Sequence, residues 1–214
     1  MPKTREVPGE LKEFNKFFNQ LTYRHDVSTV FDDFLTIFIC VFARETQEPL
    51  YFETIKRYDK KELNYFAKMM GELLMLYNNA KLNEDWIDPL GDYYEVLAGQ
   101  YKKSRLGQFF TPKSLCDIMA HISLTGATWG KKINDPTCGS GRLLLASNKA
   151  VQGNYYIAQD LDAICCKMTA INLCMHQIRG EVHHMDTLRM TAPHRSYAIN
   201  PNFHQHKTLL ILIK

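Results

Sequence analysis

The run INDPTCGSGRLLLA, from Ile133 to Ala146, combines the residue types that a ligand-binding turn needs. Its first residues read as a strand that ends at Asp135, a glycine-rich turn follows, and an apolar helix begins. In an open parallel sheet, ligands bind where the strands deliver such loops. Gly139 and Gly141 allow positive φ and a close approach of the backbone, and Asp135 supplies a carboxylate at the strand end. The pattern is neither G-x-G-x-x-G nor G-x-x-x-x-G-K-[ST], which argues against a dinucleotide and excludes a P-loop. A second candidate, SYAINPNF, ends an apolar run in Asn200, Pro201, Asn202 and Phe203. It reads either as a surface turn that contains proline or as a catalytic motif with one residue altered. Metal-ligating types occur at Cys165, Cys166, Cys174, His176, His183 and His184, but no pair has C-x-x-C spacing, so no metal site is expected.

Both motifs need strands and helices to place them. After Gly99, short β-branched or aromatic runs alternate with helical ones: KKIND, NYYIAQD, GEVHHMD and RSYAIN read as strands, SGRLLLASNKAV and LDAICCKMTAINLCMHQ as helices. Such alternation predicts right-handed βαβ units and a parallel sheet. The first half is helical. Leu11, Phe14, Phe17, Phe18 and Leu21 fall on one face, and so do Val27, Val30, Phe31, Phe34, Leu35, Phe38 and Val41, with Asp26 as N-cap. Leu63, Phe66, Met69, Met70, Leu73 and Leu76 repeat the pattern, and DPLGDYYEVLAGQY adds a helix opened by Pro89. The expected fold is α/β: a helical N-terminal domain over residues 1–99 and an abbreviated, mostly parallel Rossmann-like domain over residues 100–214.

Composition sets the outer limits. With 45% hydrophobic and 23% charged residues among 214, the chain fits a soluble globular protein. The longest apolar run, FLTIFICVFA, is too short to span a bilayer, and the N-terminus lacks the apolar core of a signal peptide, so a cytoplasmic protein is expected. Six cysteines without a secretion signal read as free thiols, with Cys40, Cys165, Cys166 and Cys174 as buried small hydrophobes. A net charge of +3 permits a polyanionic partner without indicating one. The basic clusters at Tyr101 to Arg105 and Lys56 to Lys61 read as solvated helix ends, with DNA contact as the alternative.

DPTCGSG resembles the S-adenosylmethionine (SAM) loop of the N-6 adenine DNA methyltransferases, and GQFFTP resembles the segment that precedes it in modification subunits of type I restriction–modification systems. The likeness continues through YIAQDLD, KMTAINL and HHMDTL, and loosely back into DPLGDYYEVLAG, covering Pro89 to Phe203. It implies that Phe110 and Thr111 border the methionine end of SAM and that Asp135, Cys138, Gly139 and Gly141 form the cofactor loop. Asp160, where the family usually has Glu, would accept hydrogen bonds from the ribose hydroxyls, with Ile157 and Leu161 near the adenine. Asp186 would contact the adenine amino group, although Met185 replaces a usual glycine. The partners implied are double-stranded DNA and the specificity and restriction subunits, with no membrane.

In that family a strand after the DTL loop ends in an Asn/Asp-Pro-Pro-aromatic motif, and NPNF holds this place in chain order. The adenine amine is a poor nucleophile because its lone pair is delocalised into the ring. An Asn oxygen and a backbone carbonyl accept its two N–H bonds and localise that pair for attack on the methyl sulfonium. An aromatic ring stacks on the flipped base. The resemblance gives these roles to Asn200, Pro201 and Phe203. Asn202 departs from the pattern, because a proline there would fix φ and restrict the residue before it. Members of the family also continue well past this motif, so a fragment or divergent remnant of a longer protein is expected. The expected function is SAM-dependent DNA adenine-N6 methylation, with turnover by this chain alone in doubt. The alternative is a non-catalytic module that keeps the SAM pocket and docks on partner subunits. Methylation of protein or RNA is a third reading, opposed by GQFFTP and the helical N-terminus.

Overall fold

The computed structural model describes residues 4–100 and 109–213. The basic cluster at Tyr101 to Arg105, and Gly107 and Gln108 of GQFFTP, lie outside the described residues. After short turns of 3-10 helix come α1 (Lys12–Thr22), α2 (Val27–Phe42), α3 (Glu48–Ile55), α4 (Lys60–Leu82), α5 (Pro89–Gln100) and α6 (Lys113–Ser123). The rest is β1 (Lys132–Asp135), α7 (Arg142–Ala150), β2 (Tyr155–Asp160), α8 (Ala163–Met175), β3 (Gly180–His184), β4 (Arg195–Ile199), α9 (Phe203–His206) and β5 (Ile211–Ile213).

Local chemistry sets the helix starts. The Asp26 carboxylate accepts from the Thr29 amide at 3.0 Å and opens α2. Asp59 and Glu62 form a reciprocal capping box at the start of α4. The predicted stripes face inward: Phe14, Phe18, Phe34, Phe38, Phe66 and Leu73 are all buried. Val41, placed on the same stripe by its spacing, is instead half exposed. Tyr93 of α5 joins this aromatic core, edge-on to Phe14 and Phe18 at 4.8 and 5.2 Å between ring centroids.

One hydrophobic cluster runs from these helices into the sheet. α2 lies against α8 and β5. Polar ties cross the same junction. The Lys167 ammonium on α8 donates to Asp32 at 2.5 Å and to Thr36 Oγ1 at 2.9 Å, both on α2. Tyr77 on α4 donates to Asn172 Oδ1 on α8 at 2.5 Å. All six cysteines are free and buried. Among the described residues no helix is long and apolar enough to cross a membrane.

The sheet has five strands in the order β1-β2-β3-β4-β5. β1, β2 and β3 are parallel, linked through α7 and α8 as expected. β4 is antiparallel to β3, and β5 antiparallel to β4, so the expectation of a mostly parallel sheet is corrected to a mixed one. The reason is the length of the connection. A parallel return needs a crossover of a dozen or more residues, usually with a helix. Only residues 185–194 separate β3 from β4, and they form no helix. The His194 amide donates to the His184 carbonyl at 2.8 Å and closes this link as a hairpin.

Candidate cofactor site

The C-terminal ends of β1 and β2 deliver two acids to one edge. Between them the glycine turn folds back over β2: the Cys138 amide donates to the Gln159 carbonyl at 2.9 Å, and the Gly139 amide to Asp160 Oδ2, also at 2.9 Å. The other oxygen of Asp160 accepts from the Asp162 amide at 2.8 Å. Asp135 accepts from the Thr137 amide at 3.1 Å. Gly139 and Gly141 have φ of +55° and +91°, the left-handed region that side chains strain to adopt. A Cβ on Gly139 would also come within 3.0 Å of the Phe110 ring.

A cavity of about 250 Å³ lies between these parts. Of the residues singled out in the sequence, Phe110, Thr111, Asp135, Cys138, Gly139 and Asp160 line it. Gly141 stands behind the wall as the N-cap of α7, its amide bonded to the Cys138 carbonyl at 2.8 Å. Leu161 is 60% exposed at the rim, outside the lining. Asp186 lies in the next loop, where its carboxylate accepts from the Leu188 and Arg189 amides, both at 3.1 Å. That loop is tied to the glycine turn by Thr187, whose hydroxyl donates to the Pro136 carbonyl at 3.1 Å.

Burial pushes the Asp135 and Asp160 carboxyls above their ordinary range, and each also feels charge of its own sign: Asp135 that of Asp160, and Asp160 that of Asp162. The edge thus offers acceptors and negative potential, suited to a ligand with hydroxyl donors and a cationic centre. An upward shift means that protonation begins nearer neutrality than for an exposed carboxyl. Affinity for such a ligand is therefore expected to fall as pH is lowered from neutrality toward the ordinary carboxylate range, as read by calorimetry across a pH series.

Asn200, Pro201 and Phe203 are not brought to this cavity. Because β4 runs antiparallel, Ile199 pairs with Gly180 at the start of β3, whereas His184 at the end of β3 pairs with Arg195. Asn200 therefore emerges at the sheet edge opposite the glycine turn. Its side chain is fully buried. The carboxamide donates to the Cys174 carbonyl at 3.1 Å and the Ile178 carbonyl at 3.0 Å, and accepts from the Leu210 amide at 3.0 Å. Its φ of +49° turns the chain out of β4. Phe203 lines a separate cleft with Trp129, Arg179 and Lys207.

Residues 85–207 match the family model described as N-6 DNA Methylase, which is more than half of the chain. The chain belongs to the N-6 DNA methylase family. Similar proteins include the type I restriction enzyme MjaVII methylase subunit of Methanocaldococcus jannaschii, 27% identical over 120 residues, covering 53% of this chain and 20% of that protein. The type I restriction enzyme MpnII methylase subunit of Mycoplasma pneumoniae is 29% identical over 124 residues, covering 52% of this chain and 23% of that protein. The crystal structure of the type I restriction-modification system methyltransferase subunit from Streptococcus thermophilus aligns with a TM-score of 0.46 at 22% identity, over 88% of this chain and 42% of that one. The chain spans about a fifth of the length of the curated relatives it matches.

The cavity of this N-6 DNA methylase chain also has walls that motif reading passed over: Phe109, Thr137, Ser140, Arg142 and Leu143. Arg142 carried a signal. A cation in the first turn of a helix opposes the helix dipole, so an arginine there calls for compensating carboxylates. Asp88, Asp92 and Glu95, at i, i+4 and i+7 of DPLGDYYE, are those carboxylates.

Proposed function

We propose that this chain is the SAM-binding part of a DNA adenine-N6 methyltransferase of the type I modification kind. The observation that carries this is the cavity at the ends of β1 and β2, walled by the glycine turn, Asp135, Asp160 and Phe110. The residues fit the cofactor. Asp160 offers charged acceptors for ribose hydroxyls, and the acidic edge favours the sulfonium and ammonium charges. The Phe110 ring supplies an apolar wall. About 250 Å³ is just under the range of small-ligand sites, so the cavity encloses part of an elongated cofactor while the remainder extends past the rim. When bound, SAM supplies an electrophilic methyl group. The chain's own part is to hold the cofactor, to order the glycine turn and to neutralise its charge.

Double-stranded DNA, a specificity subunit and a restriction subunit are the partners this reading assigns. For the chain by itself, the position of Asn200 favours the second reading, a module that binds the cofactor without turnover. Its amide nitrogen donates to two carbonyls and its oxygen accepts from the Leu210 amide and the Cys174 thiol, which leaves no acceptor for an adenine amine.

Asp160→Ala is expected to weaken SAM binding by about 1.5–3 kcal/mol, the usual loss for hydrogen bonds to a charged group. Calorimetric titration of both proteins reads this directly. Equal affinities would remove Asp160 from the site.

A further inference from the structure

The side chain of Arg142 is 8% exposed, and its fork is spread over four groups: Asp88 just before α5, two acids of α5, and the segment before α6. Nε donates to Asp88 at 2.7 Å, and Nη2 to Asp92 at 2.8 Å and to Glu95 at 3.0 Å. Nη1 reaches toward the Thr111 carbonyl at 3.4 Å. The guanidinium lies over the Phe110 ring, 5.3 Å from its centroid. Glu95 then closes a loop of contacts, since its second oxygen accepts from the Phe110 amide at 3.1 Å. Tyr94, its neighbour on α5, meets the Phe110 ring at 5.8 Å.

Phe110 and Thr111 are therefore gripped from two sides. Arg142, at the start of α7, holds the Phe110 ring and the Thr111 carbonyl. Glu95 holds the Phe110 amide and Arg142 at once. Lysine in place of Arg142 could meet Asp88 but could not fork to the rest.

We infer that Arg142 and Glu95 are positioning residues: they lock Phe110 and Thr111 against the glycine turn as one wall of the cofactor cavity, so that helix α5 helps to set cofactor affinity. This rests on the SAM reading of the cavity. Neither residue needs to touch the reacting methyl group. What they supply is a preformed wall, so that little ordering is left for the ligand to drive on binding.

The test compares wild type, Glu95→Ala and Arg142→Lys, all full length, by amide hydrogen exchange without ligand and by calorimetry with SAM. Glu95 sits on a helix and is partly exposed, so alanine there should keep the fold, with a thermal midpoint within about 2 °C of wild type. The expected result is exchange of the Phe110 amide about tenfold faster in Glu95→Ala, with SAM affinity about tenfold weaker. Arg142→Lys should shift both readings in the same direction. Unchanged Phe110 exchange in Glu95→Ala would show that the wall is not held this way. Faster exchange with unaltered SAM affinity would make the contact structural only. A wild type that fails to bind SAM, but whose Phe110 exchange still responds to Glu95→Ala, would reject the cofactor reading and leave the clamp as a purely structural contact.

Discussion

Replacement of Asp88 by alanine is expected to destabilise the fold by about 3–5 kcal/mol, the usual cost of removing one partner from a buried ion pair. Asp88 is 3% exposed and accepts from Arg142 at 2.7 Å, Ser140 at 2.5 Å, Asn172 at 2.7 Å and the Gly91 amide at 2.8 Å. Those donors come from the glycine turn, the start of α7, α8 and the first turn of α5, which Asp88 directly precedes. One carboxylate thus joins the helical half of the chain to the edge that carries the glycine turn. Burial raises the Asp88 carboxyl, while the Arg142 guanidinium opposes that shift and keeps the pair together. The expected loss is a large part of the roughly 5–15 kcal/mol that a domain possesses. Urea unfolding checks it: the midpoint should fall with the slope unchanged. A loss under about 1 kcal/mol would mean that Asp92 and Glu95 suffice to hold Arg142.

Asn200→Ala should cost about 3 kcal/mol, near 1 kcal/mol for each of the three hydrogen bonds its side chain makes to main-chain groups. Part of that loss comes from leaving the Cys174 and Ile178 carbonyls and the Leu210 amide without their partner. Because these groups lie at the end of α8, ahead of β3 and ahead of β5, at the sheet edge opposite Asp160, SAM affinity at temperatures where the variant stays folded should match wild type. The combination separates two roles for one residue. A catalytic Asn200 would tolerate alanine without loss of stability, and the buried clip between β4 and β5 would not. Urea unfolding and SAM titration of the same preparation give both readings.

The two motifs differed in how far local sequence could carry them. The glycine turn was legible because its ingredients are contiguous: a strand that ends in Asp135, two glycines at left-handed φ, and a helix start within seven residues. Asp160 followed from the next strand end. The helical stripes and the Asp26 cap were legible for the same reason, since spacing and capping act over one or two turns. The direction of β4 was not contained in SYAIN. It depends on the length of the link before it, and MDTLRMTAPH is too short and too irregular for a crossover helix. Once β4 reverses, chain order no longer places NPNF beside the glycine turn. Arg142 was passed over because its partners lie far back in the sequence, where DPLGDYYE read only as a helix.

The chain is proposed to hold SAM at the β1–β2 edge and not to pass the methyl group on by itself. Equilibrium dialysis of the purified chain with methyl-tritiated SAM and mixed-sequence duplex DNA tests both halves at once. The expected result is one label retained per chain, displaced by excess unlabelled SAM and lowered by Asp160→Ala, with counts on the DNA at background. No retained label on folded protein would contradict the cofactor site, and labelled DNA would contradict the reading of Asn200 as a buried structural clip.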